Sequence, residues 1–158
     1  MTAPEARFTG LAADYAKARP DYPPAAFEAM VRGLARPVRA VDIGCGTGIS
    51  TRQLATVADQ VIGVEPNSEM LDQAKASKGH SPGLAPLEWR SAPAEQTGLP
   101  AGEFGLVLAA QAFHWFDADR ALAEFARILR PGGRAALLWN LRDDRDPVTA
   151  AYSAIAVP

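Results

Sequence analysis

The sequence contains a single cysteine, Cys45. One thiol cannot close a disulfide within the chain, so a disulfide-stapled secreted scaffold is excluded and a reducing compartment is the expected setting. Histidine is almost as scarce, with only His80 and His114. His80 sits in "SKGHSPG" without ligand partners, so no metal is assigned. No run of Lys or Arg occurs, and 16 basic against 18 acidic residues leave a net charge of −2. That balance argues against a nucleic-acid partner or an anionic membrane surface. No apolar run approaches the ~18 residues of a membrane span. The opening "MTAPEARFTG" has no basic segment leading into an apolar one, so no secretory leader is expected. A cytoplasmic protein is the expectation.

Apolar residues make up 48% of the 158, enough for one domain with a proper core, taken here as residues 1–158. Residues 1–22 read as an irregular N-terminal arm. Pro23 and Pro24 then open a helix whose Ala26, Phe27, Met30, Val31 and Leu34 share one face. Five short apolar strands follow: "VRAVDI" (38–43), "QVIGV" (60–64), "LEWRS" (87–91), "FGLVLAA" (104–110) and "RAALLW" (134–139). Helical or turn-rich segments separate them. One helix begins near Gly48–Ser50, with Ser50 and Gln53 spaced as a capping box. A second begins near Asn67, with Met70, Leu71 and Ala74 inward. A third begins at Asp117 and carries Ala121, Leu122, Phe125, Ile128 and Leu129 on one stripe, ending at "RPGG" (130–133). Alternating strand and helix predicts an α/β domain with a doubly wound, parallel sheet. Its binding crevice belongs at the carboxyl ends of the middle strands.

The segment "VDIGCGTGIS" (41–50) places Gly44, Gly46 and Gly48 at such an end. Three ligands are conceivable for a turn of this kind. A phosphate loop requires G-x-x-x-x-G-K-[ST], and no basic residue lies between Gly44 and Ser50, which excludes it. A dinucleotide fingerprint, G-x-G-x-x-G/A, meets Ile49 at its last small position, so a nicotinamide or flavin cofactor is left open but disfavoured. A nucleoside without phosphates fits best. The glycines let backbone approach a bulky ligand. Asp42 can hold the turn or accept from an ammonium. Glu65 ends the next strand about 20 residues on, where a carboxylate can accept from both ribose hydroxyls.

"VDIGCGTG", "VIGVEPNSEML", "AQAFHWFD" and "ILRPGGRAALLW", in that order, resemble the class I S-adenosylmethionine-dependent methyltransferases, within them the small-molecule branch related to trans-aconitate methyltransferase. The opening "FTGLAADYAKARPDYP" is similar to that branch's N-terminal arm. The resemblance covers nearly the whole chain. It implies a Rossmann-like sheet of order 3-2-1-4-5, S-adenosyl-L-methionine as cofactor, a small-molecule acceptor, and methyl transfer by in-line displacement. Carried over residue by residue, it implies that Gly44, Gly46 and Gly48 face the methionine part and ribose edge, although Gly48 reads equally well as serving helix–strand packing, and that Glu65 holds the ribose. Asn67 and Met70 then line the adenine side, although Met70 reads equally well as core. Ala92 packs the adenine ring, with Glu95 nearby. Gln111 opens the "QAFHWF" turn bordering cofactor and acceptor. There His114 is the candidate general base, or else a group that shapes the pocket, and Trp115 and Phe116 offer flat apolar surface. Arg19, beside Tyr15 on the arm, is placed to meet the methionine carboxylate. Cys45 is read as buried filler.

Two departures stand out. Gly105 occupies the position where the family usually opens its fourth strand with Asp. The sequence also stops before the family's two further strands, which leaves "RAALLW" as an edge open to self-association. Two rival readings remain: a binding module that keeps the cofactor site without turnover, and a nicotinamide oxidoreductase.

Overall fold

The computed structural model describes residues 21–77, 84–141 and 145–146. Four helices and five strands alternate through them: α1 (Pro24–Val31), β1 (Arg39–Ile43), α2 (Ile49–Leu54), β2 (Gln60–Val64), α3 (Ser68–Ala76), β3 (Leu87–Arg90), β4 (Phe104–Ala110), α4 (Ala118–Ile128) and β5 (Leu129–Leu138). The strands form one sheet of order β3-β2-β1-β4-β5, with every pairing parallel. This is the expected order. Each parallel neighbour requires a crossover, and the intervening helices and loops supply it.

Burial on both faces explains why the central strands read as unbroken apolar runs. All seven residues of β4 are buried, as are the last four of β1 and of β2. On one face, Ala40, Val61, Leu106 and Leu108 pack with Phe27 of α1 and Leu54 of α2. On the other, Val41, Ile62 and Val107 pack with Ala121, Phe125 and Ile128 of α4. Met70, Leu71 and Ala74 of α3 are buried as expected, beside β3.

Three local expectations are corrected. Ser50 and Gln53 form no capping box. The N-cap of α2 is Gly48, without a side-chain cap. Ser50 turns back to Asp42, and Gln53 exchanges two hydrogen bonds with the backbone of Tyr22: its Oε1 accepts from Tyr22 N–H at 3.1 Å and its Nε2 donates to the Tyr22 carbonyl at 2.8 Å. Longer-range partners outbid the local pattern. Next, Leu122 is 47% exposed, whereas Glu124 is buried. The stripe on α4 is narrower than its periodicity suggests, because a polar pocket replaces apolar contact at Glu124. That carboxylate accepts from Thr97 N–H, Thr97 Oγ and the Arg127 guanidinium. The Arg127 hydrogen bond, joined by those from Thr97 against the cost of burial, lowers its pKa to about 2. Finally, "RPGG" lies within β5. The register jumps from Phe104↔Leu129 to Leu106↔Arg134, and the bulge between them turns at Gly132 with φ +76°.

Gly105 lies under a side chain of β5. The Arg130 guanidinium lies over it, 3.1 Å from where a Cβ would stand, and donates to the Ala35 carbonyl. The turn before β4 is held instead by Gly102 and Glu103 N–H groups on the carbonyls of Arg127 and Ile128. Arg134 donates to the carbonyls of Ala29, Met30 and Arg32, at and just past the end of α1. These contacts tie α1 to β5, and Tyr22, just before α1, is held by Gln53 of α2.

Candidate functional site

The glycine turn leaves β1 at Ile43 and enters α2 at Ile49. Its backbone is anchored on β2: Gly44 and Cys45 N–H both donate to the Val64 carbonyl, at 2.8 and 3.1 Å. Gly44 has φ +70°, and a Cβ on it would lie 2.6 Å from Ala112 Cβ and 3.0 Å from the Phe116 ring. Glycine is required there because the turn after β4 presses against the turn after β1. Gly46 differs, since no atom of the described residues lies within 4 Å of where its Cβ would be. The turn therefore opens at Gly46. Cys45 is a buried thiol with its pKa raised by that burial, the opposite of an activated nucleophile.

Two carboxylates serve this turn. Asp42, at 0% exposure, accepts through Oδ2 from Ser50 Oγ at 2.7 Å and Thr51 Oγ1 at 2.6 Å. It thereby staples the first turn of α2 to β1. Its Oδ1 is buried without a hydrogen-bond partner. Desolvation pushes its pKa up to about 6 despite the two hydroxyl donors, and nearby Glu65 adds to the rise. Glu65, after β2, accepts from Gly46 N–H through Oε2 and from Asn67 N–H through Oε1, both at 2.9 Å. Its carboxylate reaches the open part of the glycine turn. Asn67 caps α3, with Oδ1 accepting from Met70 N–H at 3.0 Å. Met70 is 2% exposed, so its side chain belongs to the core. Ala92 is half-buried against the core under α4. Glu95 is engaged at the start of α4, where it accepts from Asp117 N–H at 2.8 Å.

The second turn, Gln111–Phe116, follows β4 and contains a short 3-10 segment, Phe113–Trp115. Gln111 adopts φ +55°, the only described non-glycine residue with positive φ. Its N–H donates to the Leu138 carbonyl at 2.8 Å and its Nε2 to the Asn140 carbonyl at 3.2 Å. A strained residue of this kind commonly marks a functional turn. Phe116 packs edge-on against Phe113 and Phe125, and Phe113 lies tilted on Phe125, which fixes the turn to α4. His114 is exposed, with its ring beside Trp115 at 4.8 Å between centroids. Its Nδ1 faces the Trp139 indole N–H at 3.5 Å, the outer limit of a hydrogen bond. In the neutral ring that contact places the proton on Nε2.

Comparison with known proteins identifies the family. Residues 41–137, from β1 into β5, match the family model described as a methyltransferase domain. The chain belongs to the class I S-adenosylmethionine-dependent methyltransferase family. It is 41% identical over 131 residues to an uncharacterized methyltransferase of Mycobacterium tuberculosis, covering 83% of this chain and 51% of that protein. Among solved structures, it is similar to a protein of Anaeromyxobacter dehalogenans assigned as a type II methyltransferase, with 34% identity, TM-score 0.72, and coverage of 87% of this chain and 56% of that one. It is also similar to an S-adenosylmethionine-dependent methyltransferase from Mesorhizobium loti, with 28% identity, TM-score 0.59, and coverage of 72% and 51%. The chain spans about half the length of the curated relatives it matches, 51% for the mycobacterial protein.

The fold gathers Asp42, Gly44, Gly46, Gly48, Glu65 and Asn67 around the ends of β1 and β2, with the Gln111–Phe116 turn abutting them at Gly44. Arg19 and Tyr15 lie outside the described residues. Glu95 is not turned to the crevice but to α4. Sequence reasoning missed Trp89, which packs on Gly48 and Gly63, and Arg52, whose Nη2 donates to the Thr47 carbonyl at 3.0 Å. The facing pair Gly63 and Trp89 on neighbouring strands was the available signal, legible only once the register is known. The donor set suits a cationic, phosphate-free nucleoside. Two carboxylates serve the turn, one with an unpartnered buried oxygen, and among the described residues nothing crowds the Cβ position of Gly46. No helix among the described residues is long and apolar enough to cross a membrane.

Proposed function

We propose that the chain binds S-adenosyl-L-methionine at the glycine turn and transfers its methyl group to a small-molecule acceptor. The observation that carries this reading is the Glu65 carboxylate drawn to Gly46, where the turn opens. A carboxylate offers about four acceptor directions, so bonding two backbone amides is compatible with receiving ribose hydroxyls. Asp42 Oδ1 is the acceptor suited to the ammonium. Asn67 and Ala92 flank the adenine side, Gln111 holds the turn after β4 in place, and Arg19 meets the methionine carboxylate. The bound cofactor supplies an activated methyl on a sulfonium, which an acceptor nucleophile takes by direct in-line displacement. The chain's contribution is to hold donor and acceptor together and exclude water. Membership of the trans-aconitate-like small-molecule branch belongs to the same proposal.

His114 stands on the acceptor side. As a general base it would have to release Trp139 and take the proton on Nδ1, or act from the other tautomer through Nε2. A carboxylate acceptor needs no base, and for that chemistry His114 only orients. Transfer of label from methyl-labelled S-adenosylmethionine to a panel of acceptors, with calorimetry against S-adenosylhomocysteine, tests the proposal. Binding without turnover across the panel would favour a binding module. Affinity for a nicotinamide dinucleotide with none for S-adenosylhomocysteine would overturn the assignment.

A further inference from the structure

Trp89 of β3 faces Gly63 of β2 across the sheet register. A Cβ on Gly63 would lie 2.6 Å from both Cε3 and Cζ3 of the indole and 3.0 Å from Cys45 Sγ. A Cβ on Gly48 would lie 2.5 Å from the indole Cη2 and 2.9 Å from Arg52 Nη1. The indole thus rests directly on two backbones at once, that of β2 and that of the last glycine of the turn. Arg52 closes on the same glycine from α2, with its Nη2 on the Thr47 carbonyl.

The turn needs such support. Its glycines have the largest conformational freedom to lose. The backbone hydrogen bonds at Gly44 and Cys45, with Gly46 on Glu65, secure its first half against β2 and the carboxylate after it. The second half has a bond within the turn, Gly48 N–H to the Cys45 carbonyl at 2.9 Å, and the two side chains leaning on Gly48. We infer that Trp89 is a positioning residue for cofactor binding: its ring sets Gly48, and through it the presentation of Gly46. A binding turn held in place before the ligand arrives loses less freedom on binding. The inference rests on the S-adenosylmethionine reading above.

The test compares Trp89→Ala and Trp89→Phe with the wild-type 158-residue chain. S-adenosylhomocysteine affinity is read by calorimetry, the fold by urea midpoint, and turn order by hydrogen exchange of peptides spanning residues 44–48. Trp89→Ala is expected to weaken binding by about tenfold or more, and Trp89→Phe by a smaller factor. Exchange in the turn should quicken in the free protein while β1 and β4 stay protected. Gly63→Ala, which drives a methyl into the indole, should weaken binding in the Trp89 chain and much less beside Trp89→Ala. Should Trp89→Ala not fold, Trp89→Phe and Gly63→Ala give the same readouts. Affinity within about twofold of wild type, or exchange rising uniformly through the sheet, would overturn the inference. If the wild-type chain does not bind S-adenosylhomocysteine, the cofactor reading falls. The exchange of the turn then decides by itself whether Trp89 sets it.

Discussion

Replacing Asp42 by Asn should make the protein more stable at neutral pH and a poorer cofactor binder. The carboxyl is fully buried, and its pKa is raised from 3.8 to about 6, chiefly by desolvation. Above that pH the folded state carries a buried charge that the unfolded state solvates freely. Between pH 3.8 and 6 the folded protein takes up a proton that the unfolded chain does not, so the Asp42 contribution to stability rises as pH falls through this window. At about 1.4 kcal/mol per pKa unit, the penalty above the window is roughly 3 kcal/mol. Asn keeps an acceptor for the Ser50 and Thr51 hydroxyls and removes the charge. Urea unfolding of both proteins from pH 4 to 8 measures the effect. The variant's advantage should be about 3 kcal/mol near pH 8 and shrink through the window towards pH 4. Glu124, with its pKa held at about 2, loses its stabilisation at lower pH and contributes equally to both proteins, so it cancels. Parallel stability curves across the window would refute the argument, since they would mean that Asp42 ionises normally in the folded state. At pH 8 the same variant should bind S-adenosylhomocysteine more weakly, because an amide cannot receive an ammonium at Oδ1 as a carboxylate does.

Glu65→Gln cannot accept from Gly46 N–H, Asn67 N–H and two ribose hydroxyls together. Calorimetry should show S-adenosylhomocysteine binding weakened by about tenfold or more in a folded protein, and unchanged affinity would remove the ribose role. Alanine is the poorer probe here, because losing the carboxylate also frees the turn. His114→Ala should reduce turnover by roughly 10²–10⁴-fold with cofactor affinity unchanged if the nucleophile must be deprotonated. A mild loss with a flat pH profile would leave His114 an orienting group. β5 lies at the edge of the described sheet, with Leu137 and Trp139 exposed. Sedimentation at several concentrations should show the 158-residue chain self-associating through this strand, with Leu137→Lys dispersing it. A monomer at all concentrations would count against an open edge.

The five strands and the helix starts at Pro24, Asn67 and Asp117 were legible because they rest on local physics, whereas the sheet order was legible through the family resemblance. Proline fits a first helical turn, Asn and Asp side chains reach the amides three residues on, and apolar strands need two covered faces. The glycine turn and Glu65 were legible for a related reason: both lie at strand ends, where a parallel sheet concentrates its crevice. The capping box failed because Ser50 and Gln53 found distant partners in Asp42 and Tyr22. The stripe on α4 failed at Leu122 because periodicity cannot foresee Glu124 buried among Thr97 and Arg127.

The sequence by itself determined the α/β class, the placing of a crevice at the carboxyl ends of the middle strands and the exclusion of a phosphate loop, and the strand order came with the family resemblance. The first three follow from alternation, spacing and the charge of neighbouring residues. Only the tertiary structure decided what each carboxylate touches. It turned Asp42 inward to Ser50 and Thr51, drew Glu65 to Gly46, and sent Glu95 to the start of α4. It also laid Trp89 on Gly48 and Gly63. Those pairings join residues far apart in the chain, and their geometry depends on strand register and on side-chain packing, which no single local pattern encodes.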